Sequence, residues 1–428
     1  MIVNAPQGVK RKLYHQLVLL VIAFFIMLSY VVQLQEANAY MGYAPISLGI
    51  GFIVCFAIGF LLITMMVPAK INKPSDFFCF FYGFFVLLPY SLLHSIRGEV
   101  AFESFAIYFV ILFFPLLFVK IILLKLPVFR FPGLISQSSI ILFLCVLIVV
   151  GVVMVLLNPT PSAGFELSTS YDRRLEGREI FVSGSFFSYF STAIINGFAP
   201  LVAFWACWKK KSWLMIVPFL CWLAFYYLLG LKAPILFITV AALLGYAARV
   251  RKIEFFLACI YLLLVLAFVV FVFEYTVTNY SYVADYFLRR AFTVPSWVNA
   301  SFFEFMTSES VKWSALTGID GGKSISFVVG EEYLGFEGLN ANTNAFMYAL
   351  GSGGVVLYLL TIFLVSAVFF ILDSAYVRKN NPIFIYIGFS YSVLIIEQAA
   401  TTALLSSGIG LLIGLMVCAR KNQDNSYV

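Results

Sequence analysis

Charged side chains are scarce in this sequence. Of 428 residues, 11% are Asp, Glu, Lys or Arg, whereas 63% are hydrophobic and the mean hydropathy is +1.01. No soluble domain of this length has such a composition, so the chain is expected to be an all-α polytopic membrane protein. A β-barrel is excluded because the apolar runs are continuous, whereas barrel strands alternate apolar and polar residues.

Patterns that bind metals or cofactors are missing as well. His15 and His94 are the only histidines. The seven cysteines fall inside apolar runs without ligand spacing, which favours packing over disulfide or metal binding. No Ser-His-Asp set, phosphate-binding glycine loop or dinucleotide fingerprint occurs. We therefore expect neither a metal nor a cofactor.

Apolar runs of membrane-spanning length recur along the chain and predict twelve transmembrane helices. The predicted helices cover residues 13–34, 45–67, 77–96, 104–124, 137–157, 186–207, 212–230, 233–248, 254–273, 344–372, 382–398 and 402–419. Eighteen of the 27 Lys and Arg residues then fall on one side, and every segment on that side is basic. The positive-inside rule places this side, with both termini, in the cytoplasm.

The net charge of +7 follows from this topology and gives no reason to expect nucleic acid as a partner. Residues 1–428 are expected to form a single transmembrane domain. Two connections on the outer side are long, and we name residues 158–185 the first loop and residues 274–343 the second loop. The second loop is the longest interval without a membrane-length apolar run, so we expect the chemistry there.

The first loop carries three arginines, Arg173, Arg174 and Arg178. A helical turn would put Arg174 and Arg178 on one face. Guanidinium groups near a membrane surface suit a lipid headgroup or a pyrophosphate, because the planar fork binds two phosphate oxygens at once. The alternative is a solvated loop whose arginines pair with the acids beside them.

The second loop carries Arg289 and Arg290 within a stretch, 282–292, whose apolar residues predict an amphipathic helix at the membrane surface. Asp285 lies four residues before Arg289 and can pair with it. Arg290 has no such acid and is the better candidate for binding a ligand. Anchoring of both arginines to lipid headgroups is the alternative.

Asparagines precede the tenth predicted helix. Asn342 or Thr343 can cap its first turn. Asn342 and Asn344 can also bind a phosphate at the positive end of the helix, although capping alone is the commoner use of asparagine there. Lys232, in the short turn after the seventh helix, can reach a phosphate or extend to the membrane surface.

A reaction at the loops would also need a general base. The available carboxylates are Asp172 and Glu176 in the first loop and Glu331 and Glu332 in the second. The sequence does not distinguish among them.

The order of motifs in the second loop resembles the Wzy-type polymerases of O-antigen and related bacterial polysaccharides. The likeness rests on an arginine pair followed by a Pro-Ser-Trp turn, an aromatic run, a Gly-Glu-Glu segment and an asparagine cluster that opens a helix. These motifs cover residues 289–297, 302–305, 325–335 and 340–346.

The resemblance implies a GT-C-like, metal-independent glycosyltransferase of the bacterial inner (cytoplasmic) membrane, with both loops in the periplasm. It implies transfer of a growing glycan from undecaprenyl pyrophosphate to the non-reducing end of a new lipid-linked unit. The family's essential arginines lie in its two large loops, which would correspond to Arg173, Arg174 and Arg178 in one and Arg289 and Arg290 in the other. The implied partners are the lipid-linked oligosaccharides and the bilayer. A chain-length regulator protein is a further partner that the resemblance allows.

Two other functions stay open. The related O-antigen ligases carry a His-Asn pair where this chain has Asn342, Thr343 and Asn344, which favours the polymerase. A lipid-linked oligosaccharide flippase, or another transporter, fits twelve spans equally well. Ionisable residues are nearly absent from the predicted spans, apart from groups at their edges such as Lys120 and Glu397, and this weighs against a transporter.

Overall fold

The computed structural model describes residues 7–125, 127–129, 131–166, 168–182, 184–308 and 323–420. Part of the second loop, 309–322 with Lys312, lies outside the described residues. Over the described ranges the chain is helical and forms no strand. In chain order the helices are α1 (Lys12–Ala37), α2 (Ile50–Met66), α3 (Pro74–Leu93), α4 (Phe102–Leu123), α5 (Gln137–Leu156), α6 (Ser170–Ile180), α7 (Phe186–Trp208), α8 (Ser212–Leu229), α9 (Ala233–Arg249), α10 (Phe255–Thr278), α11 (Val294–Ser308), α12 (Ile325–Val328), α13 (Ala345–Lys379), α14 (Ile383–Ile395), α15 (Ala400–Leu404) and α16 (Ile409–Val417).

Eight of the described helices are long and apolar enough to cross a membrane, namely α1, α3, α4, α5, α7, α8, α10 and α13. The helices α2, α9 and α14 are apolar but shorter. This agrees with the expected class of all-helical polytopic membrane protein. The last predicted helix, 402–419, is instead divided into α15 and α16 by a turn in which Gly408 has a positive φ of 72°.

The bundle has two different ends. We name the end that carries both loops the loop end, and the opposite, lysine-rich end the basic end. At the basic end, Lys73 pairs with Asp373 at 3.0 Å. Lys379 is buried and donates hydrogen bonds to the carbonyls of Val417 and Ala419. These contacts fasten the end of α13 to the start of α3 and to the end of α16.

Helices α7 and α9 approach each other closely. A Cβ atom placed on Gly245 of α9 would lie 2.2 Å from the carbonyl oxygen of Phe204 in α7. The ring of Phe204 in turn stacks on Tyr386 of α14, with 5.0 Å between the ring centroids. Small residues permit such close packing where lipid removes the hydrophobic drive between helices. Gly245 therefore sets the distance between α7 and α9 near the basic end of both helices.

Several helical segments are wound as π-helix. Such segments interrupt α1, α3 and α7, and two more belong to the second loop. They are Tyr30–Leu34, Gly83–Leu87, Ile194–Phe198, Ala284–Thr293 and Val329–Tyr333. A π turn is rare and is frequently found at functional sites. The ten-residue segment Ala284–Thr293 contains both arginines of the second loop.

The second loop enters the bundle at its beginning. Ser281 and Gln33, near the loop end of α1, exchange two hydrogen bonds of 2.7 and 2.9 Å. Phe292 then stacks on Phe85, in the middle of α3, with 5.6 Å between the ring centroids. Eight residues separate Phe85 from the end of α3, which places Phe292 about 12 Å below that end. We name residues 281–308 the re-entrant segment.

Helix α11 brings the re-entrant segment back to the loop end. Its Phe303 stacks on Tyr108 of α4 at 4.2 Å between ring centroids. A helical segment is present at Ala284–Thr293, as predicted, but the apolar residues of 282–292 do not share one lipid-facing side. Ala284 and Leu288 are buried against protein, whereas Tyr282 and Phe287 are exposed. The position of this segment at a membrane surface stays a prediction.

Candidate functional site

Arg289 is held in place within the re-entrant segment. Its Nε atom lies 2.9 Å from Oδ1 of Asp285 and donates to the Asp285 carbonyl at 3.0 Å. The side chain is 15% exposed, and Nη1 lies 3.5 Å from the sulfur of Met41. The predicted pair with Asp285 is confirmed. Asp285 therefore neutralises the charge of Arg289 locally and holds it in a fixed position, with part of its donor capacity already used.

Tyr43 lies beside Arg289 and is buried. Its ring makes an edge contact with Trp297 at 5.7 Å between centroids. Burial raises the pKa of Tyr43 above its ordinary value, and the Arg289 guanidinium opposes this shift only in part. The phenol is therefore neutral at physiological pH. It is a hydrogen-bond donor next to the arginine pair.

Arg290 is exposed, in contrast to its neighbour. It forms no ion pair or hydrogen bond with any residue that the structure describes. The flanking residues Leu288 and Phe292 are buried, so the backbone that carries Arg290 is anchored on both sides. An anchored guanidinium without an acid partner is suited to binding an anionic group.

Arg173 is fully buried in the first loop. Its Nη1 donates to Oγ1 of Thr169 at 2.9 Å, and its Nη2 donates to the carbonyl of Glu166 at 3.0 Å. The guanidinium also lies over the Tyr226 ring of α8, 5.6 Å from its centroid. This placement corrects the expectation that Arg173 contacts the ligand, because its fork faces the protein. Arg173 instead fastens the first loop to α8.

Arg174 has a different environment. It is exposed and lines a cavity of about 230 Å³ between α6, α7 and α8. Ser188, Ser191 and Thr192 of α7 line the same cavity. Hydroxyl groups beside a guanidinium are suited to phosphate or sugar oxygens. Arg178 lies one helical turn further along α6, and its side chain is outside the described part of the chain.

The acids of the first loop do not neutralise Arg174. The carboxylate of Glu176 accepts hydrogen bonds from Ser162, at 3.1 Å from the backbone N–H and 2.6 Å from the hydroxyl. No ion pair joins Arg174 to a described acid. The alternative of a solvated loop with internally paired arginines is therefore not what the structure shows for Arg174.

Asn344 caps α13. Its Oδ1 accepts hydrogen bonds from the backbone N–H groups of Phe346, at 3.2 Å, and Met347, at 3.1 Å. The prediction that Asn342 or Thr343 forms this cap is wrong, because Asn344 occupies the N-cap position. Asn342 is exposed and remains available to a ligand.

The amide of Asn344 is used as well. Its Nδ2 donates to Oδ1 of Asn299 in α11 at 3.1 Å, and Thr343 donates to the same oxygen at 2.9 Å. All three residues are buried. Asn344 thus joins α13 to the re-entrant segment, which accounts for its polar groups without a ligand.

Replacing Asn344 by Ala is expected to lower the stability of the purified protein by about 1–3 kcal/mol. The change removes a helix cap and leaves the buried Asn299 short of a partner. Asn344→Ser keeps an oxygen acceptor for the cap and introduces no charge beside Asn299, so it should lose less than the Ala variant. Asn342→Ala is the matched control and should melt like the wild type. Equal melting temperatures for Asn344→Ala and Asn342→Ala in detergent would contradict the assigned cap.

The two glutamates of the second loop differ. Glu331 bonds to Lys323 and accepts from the Gly338 N–H at 3.2 Å, and both contacts lower its pKa. A carboxylate stabilised in this way is a weak base. Glu332 is exposed and has no ion pair or hydrogen bond with the described residues. Lys232 is likewise exposed and unpaired among them, at the start of α9.

Arg97 is a residue that the sequence reasoning did not single out. Its Nε and Nη2 atoms lie 2.8 Å from the carboxylate oxygens of Glu304 in α11. Nη2 also donates to the Tyr333 carbonyl at 2.8 Å. The residue therefore holds the re-entrant segment against the rest of the second loop. No local signal predicts it, because 207 positions separate Arg97 from Glu304.

The arginines of the two loops belong to different surroundings. Arg173 and Arg174 contact α7, α8 and their own loop. Arg289 contacts Asp285 and the connection between α1 and α2. The described contacts of the two groups share no residue. The structure thus presents two arginine sites at the loop end.

No family model matches the chain, and neither a curated protein nor a solved structure matches it. A functional assignment therefore rests on the chemistry of these side chains.

Proposed function

We propose that this protein is a polysaccharide repeat-unit polymerase, a Wzy-type glycosyltransferase of the bacterial inner membrane. The observation that carries the proposal is Arg290, an exposed guanidinium without an acid partner on an anchored segment. Arg289, at the adjacent position, is paired with Asp285 and keeps only the N–H donors that this pair leaves unused. An unpaired guanidinium at such a surface suits a lipid-linked pyrophosphate.

The proposal includes the topology. Twelve crossings, with α15 and α16 together as the last, put both termini in the cytoplasm and the loop end in the periplasm. The lysine-rich basic end then obeys the positive-inside rule. The substrates carry their pyrophosphate at the periplasmic membrane surface, and in this topology the re-entrant segment begins and ends on that side.

In the proposed reaction a hydroxyl of the acceptor sugar attacks the anomeric carbon of the donor glycan. The bond from that carbon to the lipid pyrophosphate breaks, and the pyrophosphate leaves with the electron pair. Arg290 stabilises the charge that develops on the leaving group. Glu332 is a carboxylate of the second loop without an ion pair among the described residues. We assign it the role of general base, which accepts the proton of the attacking hydroxyl.

A polymerase of this kind must hold two lipid-linked substrates at once. The Arg174 cavity, about 230 Å³ and lined by hydroxyl groups, supplies a second anion-binding position. In the proposal the re-entrant segment holds the donor pyrophosphate and the first loop holds the acceptor. Asn342 and Lys232, both exposed at the loop end, are candidates for further contacts with either substrate.

A flippase is the second candidate, and the divided last span favours it. Asn196 of α7 and Gln398 both donate to Oγ of Ser407, at 3.3 and 3.0 Å, in the turn between α15 and α16. Helix α14 has 13 residues, or about 20 Å, whereas the hydrocarbon core is about 30 Å thick. If α14 is a crossing, its shortness would leave Glu397 and Gln398 within membrane depth, where polar groups of transporters lie.

Reconstitution separates the two functions. Purified protein in liposomes, given only a lipid-linked repeat unit, is expected to lengthen the glycan. Elongation should persist in EDTA, because the proposed clamp uses arginine rather than a metal. Gel analysis of the released glycan measures the product, and liposomes with Arg290→Ala protein are the control.

Two results would overturn the assignment. Movement of the substrate across the bilayer without elongation would identify a flippase. Elongation that EDTA stops and magnesium or manganese restores would refute a clamp made of arginine alone.

A further inference from the structure

A second cavity lies at the basic end, opposite both loops. It has a volume of about 310 Å³ and lies between α1, the segment after α2, and α4. Three lysines line it, Lys12, Lys70 and Lys120, and none of its lining residues is acidic. A cavity with three cationic groups and no acid is complementary to an anion.

One of these lysines is fixed by the backbone. The ammonium of Lys120 donates to the carbonyls of Met65 and Met66, at 3.1 and 2.9 Å, where α2 ends. An ammonium has three N–H donors, so these bonds leave one for a ligand. Lys12 and Lys70 are both exposed at the opening. Lys12 can adjust to a bound group, whereas Lys70 also interacts within the protein.

The size of the cavity restricts the ligand. A water molecule occupies about 30 Å³ in the liquid, so the space holds far more than a simple ion and is sufficient for a phosphate with its glycerol. Met65 lines the cavity and is 54% exposed, and Leu61, one turn earlier on the same face of α2, is 59% exposed. An apolar strip thus leads from the cavity along the bundle.

We propose that this cavity binds the phosphate of an anionic phospholipid, with the glycerol inside and the acyl chains along the strip of Leu61 and Met65. Free inorganic phosphate shares the charged part of this chemistry. It has no acyl chain that could cover the apolar strip, and for this reason we assign the lipid as the ligand. The site is independent of the glycosyl-transfer proposal, since no residue of the two loops takes part.

The experiment measures the melting temperature of the purified protein in detergent, titrated with phosphatidylglycerol, with phosphatidylethanolamine or with inorganic phosphate. The wild type is expected to be stabilised by phosphatidylglycerol alone. The double variant Lys12→Gln/Lys70→Gln should bind this lipid about thirtyfold more weakly, because each lysine near a membrane surface contributes about fivefold. Lys120 is left unchanged because it also caps α2.

The matched control is Lys210→Gln/Lys252→Gln, which removes the same charge from the basic end outside the cavity. It should respond to phosphatidylglycerol like the wild type. Without lipid, all variants should have the melting temperature of the wild type. If a double variant does not, the comparison is repeated with the single variants Lys70→Gln, in the cavity, and Lys252→Gln, outside it. An equal loss of response in cavity and control variants would overturn the site. A response to inorganic phosphate equal to that for the lipid would overturn the assigned ligand.

Discussion

Replacing Arg290 by Ala is expected to lower glycan elongation about 100-fold or more, the loss seen when one preorganised group that stabilises developing charge is removed. Arg290→Lys should restore little of it, because an ammonium cannot form the two parallel bonds of a guanidinium to phosphate oxygens. Arg290 is exposed and unpaired among the described residues, so both variants should fold. Elongation of a lipid-linked repeat unit in liposomes is the measurement.

Arg378→Ala is the matched control for Arg290. This arginine lies at the basic end, where it donates to the Val128 carbonyl at 3.4 Å, and its loss should leave elongation unchanged. Anchoring of Arg290 to lipid headgroups predicts the opposite pattern, in which lysine serves as well as arginine. Full-length glycan from Arg290→Lys at normal expression would therefore remove Arg290 from the site.

Replacing Gly245 by Ala is expected to destabilise the bundle by about 3 kcal/mol, at the upper end of the range for overpacked cores. The added methyl would lie 2.2 Å from the Phe204 carbonyl oxygen, and a backbone atom cannot turn aside as a flexible side chain can. Helices α7 and α9 would have to separate. The melting temperature and the yield of monodisperse protein after size exclusion should both fall.

Gly414→Ala provides the matched comparison within another apolar helix. A Cβ atom on Gly414 would meet no heavy atom within 4 Å. This variant should melt at or above the wild-type temperature, because Ala has the higher helix propensity. Identical melting of Gly245→Ala and Gly414→Ala would show that α7 and α9 are less closely packed than described.

Much of the fold is predictable because the thickness of a bilayer fixes the length of an apolar helix. The prediction of 137–157 compares with the helix Gln137–Leu156, and 212–230 with Ser212–Leu229. Hydropathy does not reveal the break in the last span. The turn at Gly408 is stabilised by partners of Ser407 that lie outside α15 and α16, including Asn196, 211 positions away.

The re-entrant segment was not predictable for a related reason. An amphipathic stripe over 282–292 has the same pattern whether its apolar side meets lipid or protein. Phe292 meets Phe85, about two hundred positions earlier, and no local signal reports such a partner. The hydrophobic period identifies a buried face without saying what covers it.

In the candidate site, too, local contacts are predictable from the sequence, whereas contacts between distant segments are not. The pair of Arg289 with Asp285 follows from a spacing of four residues, which the sequence alone predicts. The burial of Arg173 was not, because it depends on Tyr226 of another helix. Spacing along a helix therefore predicted the partner of one arginine, and only tertiary packing revealed which of the others remain available to a ligand.

The bonds of Lys379 have a consequence for biosynthesis. Its carbonyl partners come from residues 38 and 40 positions later, so α13 is translated well before they exist. A buried ammonium without partners is costly, which keeps the end of α13 in water until α16 has been made. Because Ala419 also bridges to Ile135, the residues at the end of α16 join segments made early and late. Sealing of the basic end thus has to wait for the synthesis of α16.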